Sequence, residues 1–359
     1  MKRIKFKIII VIMITAFCFI NSSGQFKEIG KFTAGGINDA EKLTVAYLTP
    51  WANALGTSLS GGWYNTAKVH KLGGFDLTFT FNMGFVPERD KTFDLSKLGL
   101  SEYAGFSQNS APTAAGRMEA GPSITYTAPA PANTELFSYN TPKGTGLSFI
   151  PTPMVQLGLG LVKGTEVIGR YLPEVKIGKA GAVSLWGIGL KHDVLQWLPL
   201  AKRVPALNVS ILGGYTKLNA NAGISVTPAT LNLSDATTET VDFTSQAMDM
   251  TVTSFTGNLL VSVNLPVISF YGGAGFANTN TSIGLKGYYP IPDATGTVTN
   301  ASVGEPDPIS MDIINNDGSP TKPRFNIGLR LKLGIITIHG DYTKANYSNV
   351  TAGLGISFR

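Results

Sequence analysis

Cysteine is almost missing from this chain: Cys18 is the only one in 359 residues. Histidine is scarce too, at three, and Asp, Glu, Lys and Arg together make up 14%. Cys18 lies in a leader in which Lys2, Arg3, Lys5 and Lys7 precede an apolar run from Ile8 to Ile20. Ser22, Ser23 and Gly24 follow, so residues 1–24 have the layout of a secretory signal peptide, with cleavage expected near Gly24/Gln25. Phe17 stands where a lipoprotein motif needs a small residue, which argues against lipid attachment. Removal of the leader leaves no thiol, excluding disulfides and thiolate metal sites. It also takes four basic residues, so the formal charge of +6 falls by four to +2. No basic tract remains, and a nucleic-acid partner is not expected. A long apolar run is lacking as well, because no segment after the leader reaches the length of a membrane helix.

What the chain has instead is alternation. From Arg324, the odd positions Phe325, Ile327, Leu329, Leu331 and Leu333 are large and apolar, while Asn326, Gly328, Arg330, Lys332 and Gly334 lie between them. A turn at Gly334-Ile335 then sets Ile336, Ile338 and Tyr342 against Thr337, His339, Asp341 and Thr343. Val350, Ala352, Leu354, Ile356 and Phe358 close the chain, against Thr351, Gly353, Gly355 and Ser357. A two-residue period with one apolar and one polar face marks a strand between two media. An apolar exterior around a polar interior is what a transmembrane β-barrel requires. The last strand, with Phe358 penultimate, resembles the sorting signal of Gram-negative outer-membrane barrels, which implies recognition by the barrel-assembly machinery.

The same alternation recurs upstream. Phe75, Leu77, Phe79, Phe81, Met83 and Phe85 face one way, and Val155, Leu157, Leu159 and Leu161 repeat the pattern before a Lys163-Gly164 turn. Strands are also expected at Thr57–Ala67, Arg117–Thr127, 181–191, 207–218, 255–265 and from Ile268. Residues 25–56 read as partly helical, with Asn38 and Glu41 spaced as a capping box and a break near Pro50. That segment is either a helix on the periplasmic rim or a plug in the lumen. His192–Pro205 reads as a short interfacial helix capped by Asp193 and seated on the barrel rim.

The expected architecture is therefore all-β: an antiparallel transmembrane barrel of about 12–14 strands over residues 57–359. Short turns at Gly334-Ile335, Pro266 and Lys163-Gly164 share one rim, and the long segments 128–148, 219–246 and 290–322 share the other. That asymmetry is characteristic of outer-membrane barrels, whose short turns are periplasmic. Residues 87–116 break the rule, since the same count places them on the short-turn side; a hidden hairpin there would raise the count to fourteen.

Three local stretches resemble an uncharacterised family of Gram-negative outer-membrane β-barrels: Gly62-Trp63-Tyr64-Asn65-Thr66-Ala67-Lys68, Gly164-Thr165-Glu166 running to Arg170-Tyr171-Leu172-Pro173, and Gly189-Leu190-Lys191-His192-Asp193. That family is similar in architecture to the long-chain fatty-acid transporters. The resemblance implies an N-terminal hatch, an outer-membrane bilayer as partner, and passive movement of small hydrophobic or amphipathic molecules. No ligand residue of those transporters maps onto this chain.

Inward parity makes Arg330, Lys332, His339 and Asp341 a candidate charged wall, with Arg330 opposite His339, and Glu166 with Arg170 a second candidate pair. Mutual neutralisation inside a filled barrel is the preferred reading of both groups. No His, Ser and Asp spacing singles out a triad, and metalloprotease, phosphate-loop, EF-hand and dinucleotide motifs are absent from the sequence, so neither catalysis nor a cofactor or metal is expected. An open porin for polar solutes and a surface-interaction barrel using its long loops are the alternatives to transport.

Overall fold

Ten of the alternating segments pair edge to edge and close on themselves. The computed structural model describes residue 32 and residues 35–176, 181–197, 204, 206–223, 245–289, 309–313 and 319–358. The leader lies outside them, as do residues 198–203, 205 and most of 224–246 and 290–322. The chain opens with helix α1 (Ile37–Ser60) and continues into β1 (Phe75–Phe85). Five short strands follow: β2 (Thr92–Asp94), β3 (Ala104–Phe106), β4 (Ser110–Pro112), β5 (Ser123–Thr127) and β6 (Glu135–Asn140). Then come β7 (Phe149–Gly160), β8 (Thr165–Lys176), β9 (Ala182–Asp193), β10 (Leu207–Gly223), β11 (Ala247–Asn264) and β12 (Ile268–Lys286). The chain ends with β13 (Ile309–Ile313), β14 (Thr321–Leu333), β15 (Ile336–Lys344) and β16 (Ser348–Phe358).

The barrel order is β11-β10-β9-β8-β7-β1-β16-β15-β14-β12, and pairing of β11 with β12 closes the ring. All contacts are antiparallel, and Phe75 pairs with both Phe358 and Leu159, which fixes the short-turn rim. β13 adds a short flap to β12. Lys163 and Gly164 both have positive φ, at 55° and 64°, the geometry a two-residue hairpin demands.

The outward faces are apolar as the alternation requires. Ile327 is 71% exposed, Ile188 57% and Leu354 57%, and their neighbours in the same rows are similar. Paired aromatics mark both edges of the band: Phe75 with Phe358 at the short-turn rim, and Phe85 with Phe149 and Trp186 with Tyr215 towards the other. The ten residue-to-residue steps from Phe75 to Phe85 along β1, tilted by about 40°, span roughly 25 Å, the height of a bilayer's apolar core.

Several expectations need correction. The strand count is ten. Thr57–Ala67 is not a strand, because residues 57–60 complete α1 and 61–71 cross the lumen without joining a sheet. Only Ser123–Thr127 of the Arg117–Thr127 segment is extended, and it pairs with β3 and β6 outside the barrel. With these two removed, residues 86–148 become one long connection from β1 to β7, folded as a cap on the long-loop rim with β2 and β4 as a second small sheet. The misplaced 87–116 segment thereby returns to the side its length predicts.

Local expectations shift too. Gly36, not Asn38, is the N-cap of α1, and it offers no side chain to the helix. Pro50 does not break the helix, and next to it the Thr49 hydroxyl donates to the Val45 carbonyl at 2.6 Å. Of the interfacial helix, the described part is a single 3-10 turn at Leu195–Trp197; Asp193 caps it by accepting from the Leu195 amide at 2.8 Å.

Candidate functional site

Helix α1 runs inside the barrel. Near its start, Leu43, Tyr47 and Leu48 pack with Met248, Ile283, Leu285, Met311 and Ile313 towards the long-loop rim. Leu59 meets Val252, Tyr64 and Trp63 meet Leu260, and the Thr66 hydroxyl lies 3.1 Å from that of Ser262. The positions on β11 rise from 248 to 262 as the insert descends, so α1 and residues 61–71 traverse the lumen from the long-loop rim to the short-turn rim. Small wall residues admit it: a β-carbon on Gly84 would lie 2.1 Å from the Ala54 carbonyl oxygen.

The last turn of α1 contains no basic residue; the Ser60 hydroxyl and the Gly61 amide donate to the Thr57 and Ser58 carbonyls, and the carbonyls beyond need partners from outside the helix. The wall supplies the charge. Arg170 on β8 donates from Nη1 to the Leu59 carbonyl at 3.0 Å, from Nη2 to the Gly61 carbonyl at 2.6 Å, and from Nε to Gln156 at 2.9 Å. Its guanidinium also lies 3.6 Å from the centre of the Trp63 ring, a cation–π contact inside the barrel. Gln156 closes the circuit by donating to the Trp63 carbonyl at 3.2 Å. Trp63 has room because Gly189 and Gly214 face it; a β-carbon on either would come within 2.7 Å of the indole.

Below this junction the contacts are polar. Tyr64 donates to Asn326, Tyr271 donates to Asp341 at 3.1 Å, and Arg324 donates to Asn258 at 2.8 Å. At the short-turn end, Glu166 accepts from the His70 amide at 3.1 Å and lies 2.8 Å from His70 Nδ1 and 3.0 Å from Lys191 Nζ. His70 Nε2 is 3.2 Å from the Ser357 hydroxyl, so one insert residue is tied to two strands of the wall, β8 and β16.

The six charged residues singled out from parity are therefore split. Glu166 and Arg170 share a strand but serve different partners, one anchoring His70 and the other the end of α1. Arg330 is paired in register with His339, and its Nη2 lies 3.5 Å from Asp76 Oδ2. His339 is 5% exposed, and neither ring nitrogen has a hydrogen-bond partner among the described residues. Asp341 belongs with Tyr271 and Thr343, and Lys332 is half-buried near the short-turn rim. No group of three metal-ligating side chains occurs among the described residues.

Parity alone does not reach Trp63, Tyr64, His70, Gln156 or Lys191 as a set, since they come from an irregular segment and two strands. Their signal is different. Trp63, Glu166, Arg170, Gly189 and Lys191 all sit in the three stretches that carry the family resemblance, and the fold brings those stretches into contact. A model for a family of unknown function, DUF6588, matches residues 1–358. This chain belongs to that family.

No curated protein matches the DUF6588 chain. Among solved structures, it is similar to the outer-membrane protease OmpT from Escherichia coli, with 8% identity, a TM-score of 0.32, and coverage of 79% of this chain and 97% of that one. OprG from Pseudomonas aeruginosa gives 9% identity, a TM-score of 0.30, and coverage of 81% and 99%. Ail from Yersinia pestis, solved with the heparin analogue sucrose octasulfate, gives 9%, 0.27, and coverage of 79% and 96%. These neighbours are outer-membrane β-barrels. No specific likeness to the fatty-acid transporters emerges.

Proposed function

We propose that this DUF6588 protein is an outer-membrane transporter held closed by its own N-terminal segment, with small amphipathic or hydrophobic molecules as cargo. One observation carries the reading: a lumen that is polar at membrane depth is filled by a separable stretch of chain. Barrels of about eight strands close their interiors with wall side chains alone. This ten-stranded wall instead encloses residues 37–71, held near membrane depth by hydrogen bonds that water or a cargo group can replace. The lining also changes along the route, from Met248, Val252, Ile283 and Leu285 to Thr, Ser, Asn and Arg side chains. Amphipathic cargo suits both. The leader would direct export, β16 would engage the barrel-assembly machinery, and no catalytic role is assigned.

A disulfide lock tests this directly. Gly56 on α1 faces Thr279 on β12, and a β-carbon on Gly56 would lie 3.1 Å from that of Thr279. That is close to the ~3.5–4.5 Å of a disulfide. Gly56→Cys with Thr279→Cys should be silent in planar bilayers when oxidised. Combined with Arg170→Ala, the same pair should conduct when reduced and close again on oxidation. Steady conductance from the oxidised lock would sink the closed-transporter reading. Silence in every state, with folding confirmed, would favour a second reading, a surface-interaction barrel, for which the folded 86–148 cap is the supporting feature.

A further inference from the structure

The direction of α1 has a topological consequence. Its first turn is bound into the long-loop cap: Asp39 accepts from the Ser101 amide at 3.0 Å and from the Tyr126 hydroxyl at 3.0 Å. Tyr47, two turns on, donates to the Lys143 carbonyl at 2.8 Å. Phe32, upstream of the helix, is buried there too, edge-on to Tyr47 and Tyr139 with ring centres 6.1 and 6.5 Å away. The chain is thus already in the cap at residue 32, before it enters the barrel. The helix below it is 24 residues long, about 36 Å at 1.5 Å per residue, and it occupies the lumen a returning segment would need. The outside of the wall is an apolar band that an extended, unpaired backbone cannot cross.

We infer that the insert enters the barrel from the long-loop face, so that Phe32 and the first turn of α1 are presented at the cell surface. The inference rests on the outer-membrane reading, which makes the long-loop face extracellular. It also limits regulation. A periplasmic partner does not reach the first turn of α1, so the force or ligand that moves the helix must act from outside, or at the 61–74 segment on the short-turn side.

The described residues contain no cysteine, and the leader holds the only one, so single cysteines can be placed cleanly. Ile37, 41% exposed at the start of α1, reports the insert; Gln108, exposed in the cap, and Ile335, 55% exposed in a short turn, report the two faces. Intact cells would be treated with a membrane-impermeant maleimide, before and after permeabilisation. Ile37→Cys and Gln108→Cys should label at least tenfold more than Ile335→Cys on intact cells, with Ile335→Cys catching up once the membrane is opened. Labelling of Gln108→Cys but not Ile37→Cys on intact cells would overturn the surface presentation of the helix start alone. Labelling of Ile335→Cys without Gln108→Cys would overturn the barrel's orientation, and the presentation with it.

Discussion

The two halves of the lumen hold the same insert by opposite means. In the half nearer the long loops, α1 is sealed by apolar packing, with Leu43 and Ala40 fully buried among Met, Ile and Leu side chains of β11, β12 and β13. In the half nearer the short turns, residues 61–70 are held by Arg170, Gln156, Asn326, Ser262 and Glu166. The difference follows the wall. Strands β10 to β12 are 17 to 19 residues long and continue beyond the membrane band, where their inner faces close an ordinary apolar core. At membrane depth the outer face is given to lipid, so the inner face carries the polar groups and their partners must come from the insert.

The largest test of this division is Arg170→Ala. It strips the end of α1 of two charge-assisted bonds, leaves Gln156 without its donor, and uncovers the Trp63 face. Breaking such a buried charged junction is expected to cost about 3–5 kcal/mol. Denaturant unfolding in lipid vesicles should show it as a lowered midpoint. A shift no larger than that of a surface substitution would mean that the lower half is not held by polar contacts.

Leu43→Ala is the matching lesion in the upper half. Leu43 is wholly buried, so the loss is a cavity, with an expected cost of about 3 kcal/mol. Because it touches no polar contact of the lower half, its effect should add to that of Arg170→Ala in the double variant. Strong non-additivity would show that the two halves unfold as one coupled unit.

Most of the wall was legible from the sequence because lipid imposes a period of two and the hairpins impose their turns. Phe75 to Phe85 and Phe325 to Phe358 could be placed face by face. The insert was not legible in the same way. Leu59, Gly61 and Trp63 alternate like a strand, yet they wedge against different parts of the wall, Gly61 against Asn82 and Asn349 of β1 and β16 and Trp63 against Gly189 and Gly214 of β9 and β10. Contacts between Trp63 and Gly189 or between His70 and Glu166 join residues about a hundred positions apart, and periodicity carries no information about such pairs. Parity puts the charged residues on strand faces, but it does not show that Arg170 and Glu166 meet the insert, and a partner decides what a buried charge does. Arg170 became a helix cap for that reason, while His339 has no hydrogen-bond partner among the described residues.

Glu166→Gln sharpens the comparison within the lower half. The glutamine keeps its shape and can accept from the His70 amide, but it no longer neutralises Lys191, which is 3% exposed. The expected loss is about 2 kcal/mol, from leaving a buried ammonium without its counter-charge. Lys191→Met in the same chain should restore part of it. Failure of the second substitution to recover any stability would mean that the pair contributes through shape rather than charge.

The smallest effect is expected where a polar contact sits in the apolar half. Tyr126 donates to Asp39 above the membrane band, and Asp39 keeps the Ser101 amide if that donor is lost. Tyr126→Phe should therefore cost only about 1 kcal/mol, the net value of one hydrogen bond. Its signature lies in the alkaline limb. Burial, then the neighbouring Tyr139 and the Asp39 carboxylate, push the Tyr126 phenol well above its ordinary value. Above a pH of about 10 the unfolded chain loses this proton while the folded chain retains it, so stability declines by up to ~1.4 kcal/mol per pH unit for one such group. Below that pH the folded and unfolded phenols are both protonated and the group adds no slope. Unfolding midpoints measured between pH 8 and 11 should thus run parallel for the native chain and Tyr126→Phe up to about pH 10, then converge as the native chain loses stability faster. Parallel curves throughout would show that the phenol ionises as easily in the cap as in water, and that the cap is open to solvent where its packing says it is closed.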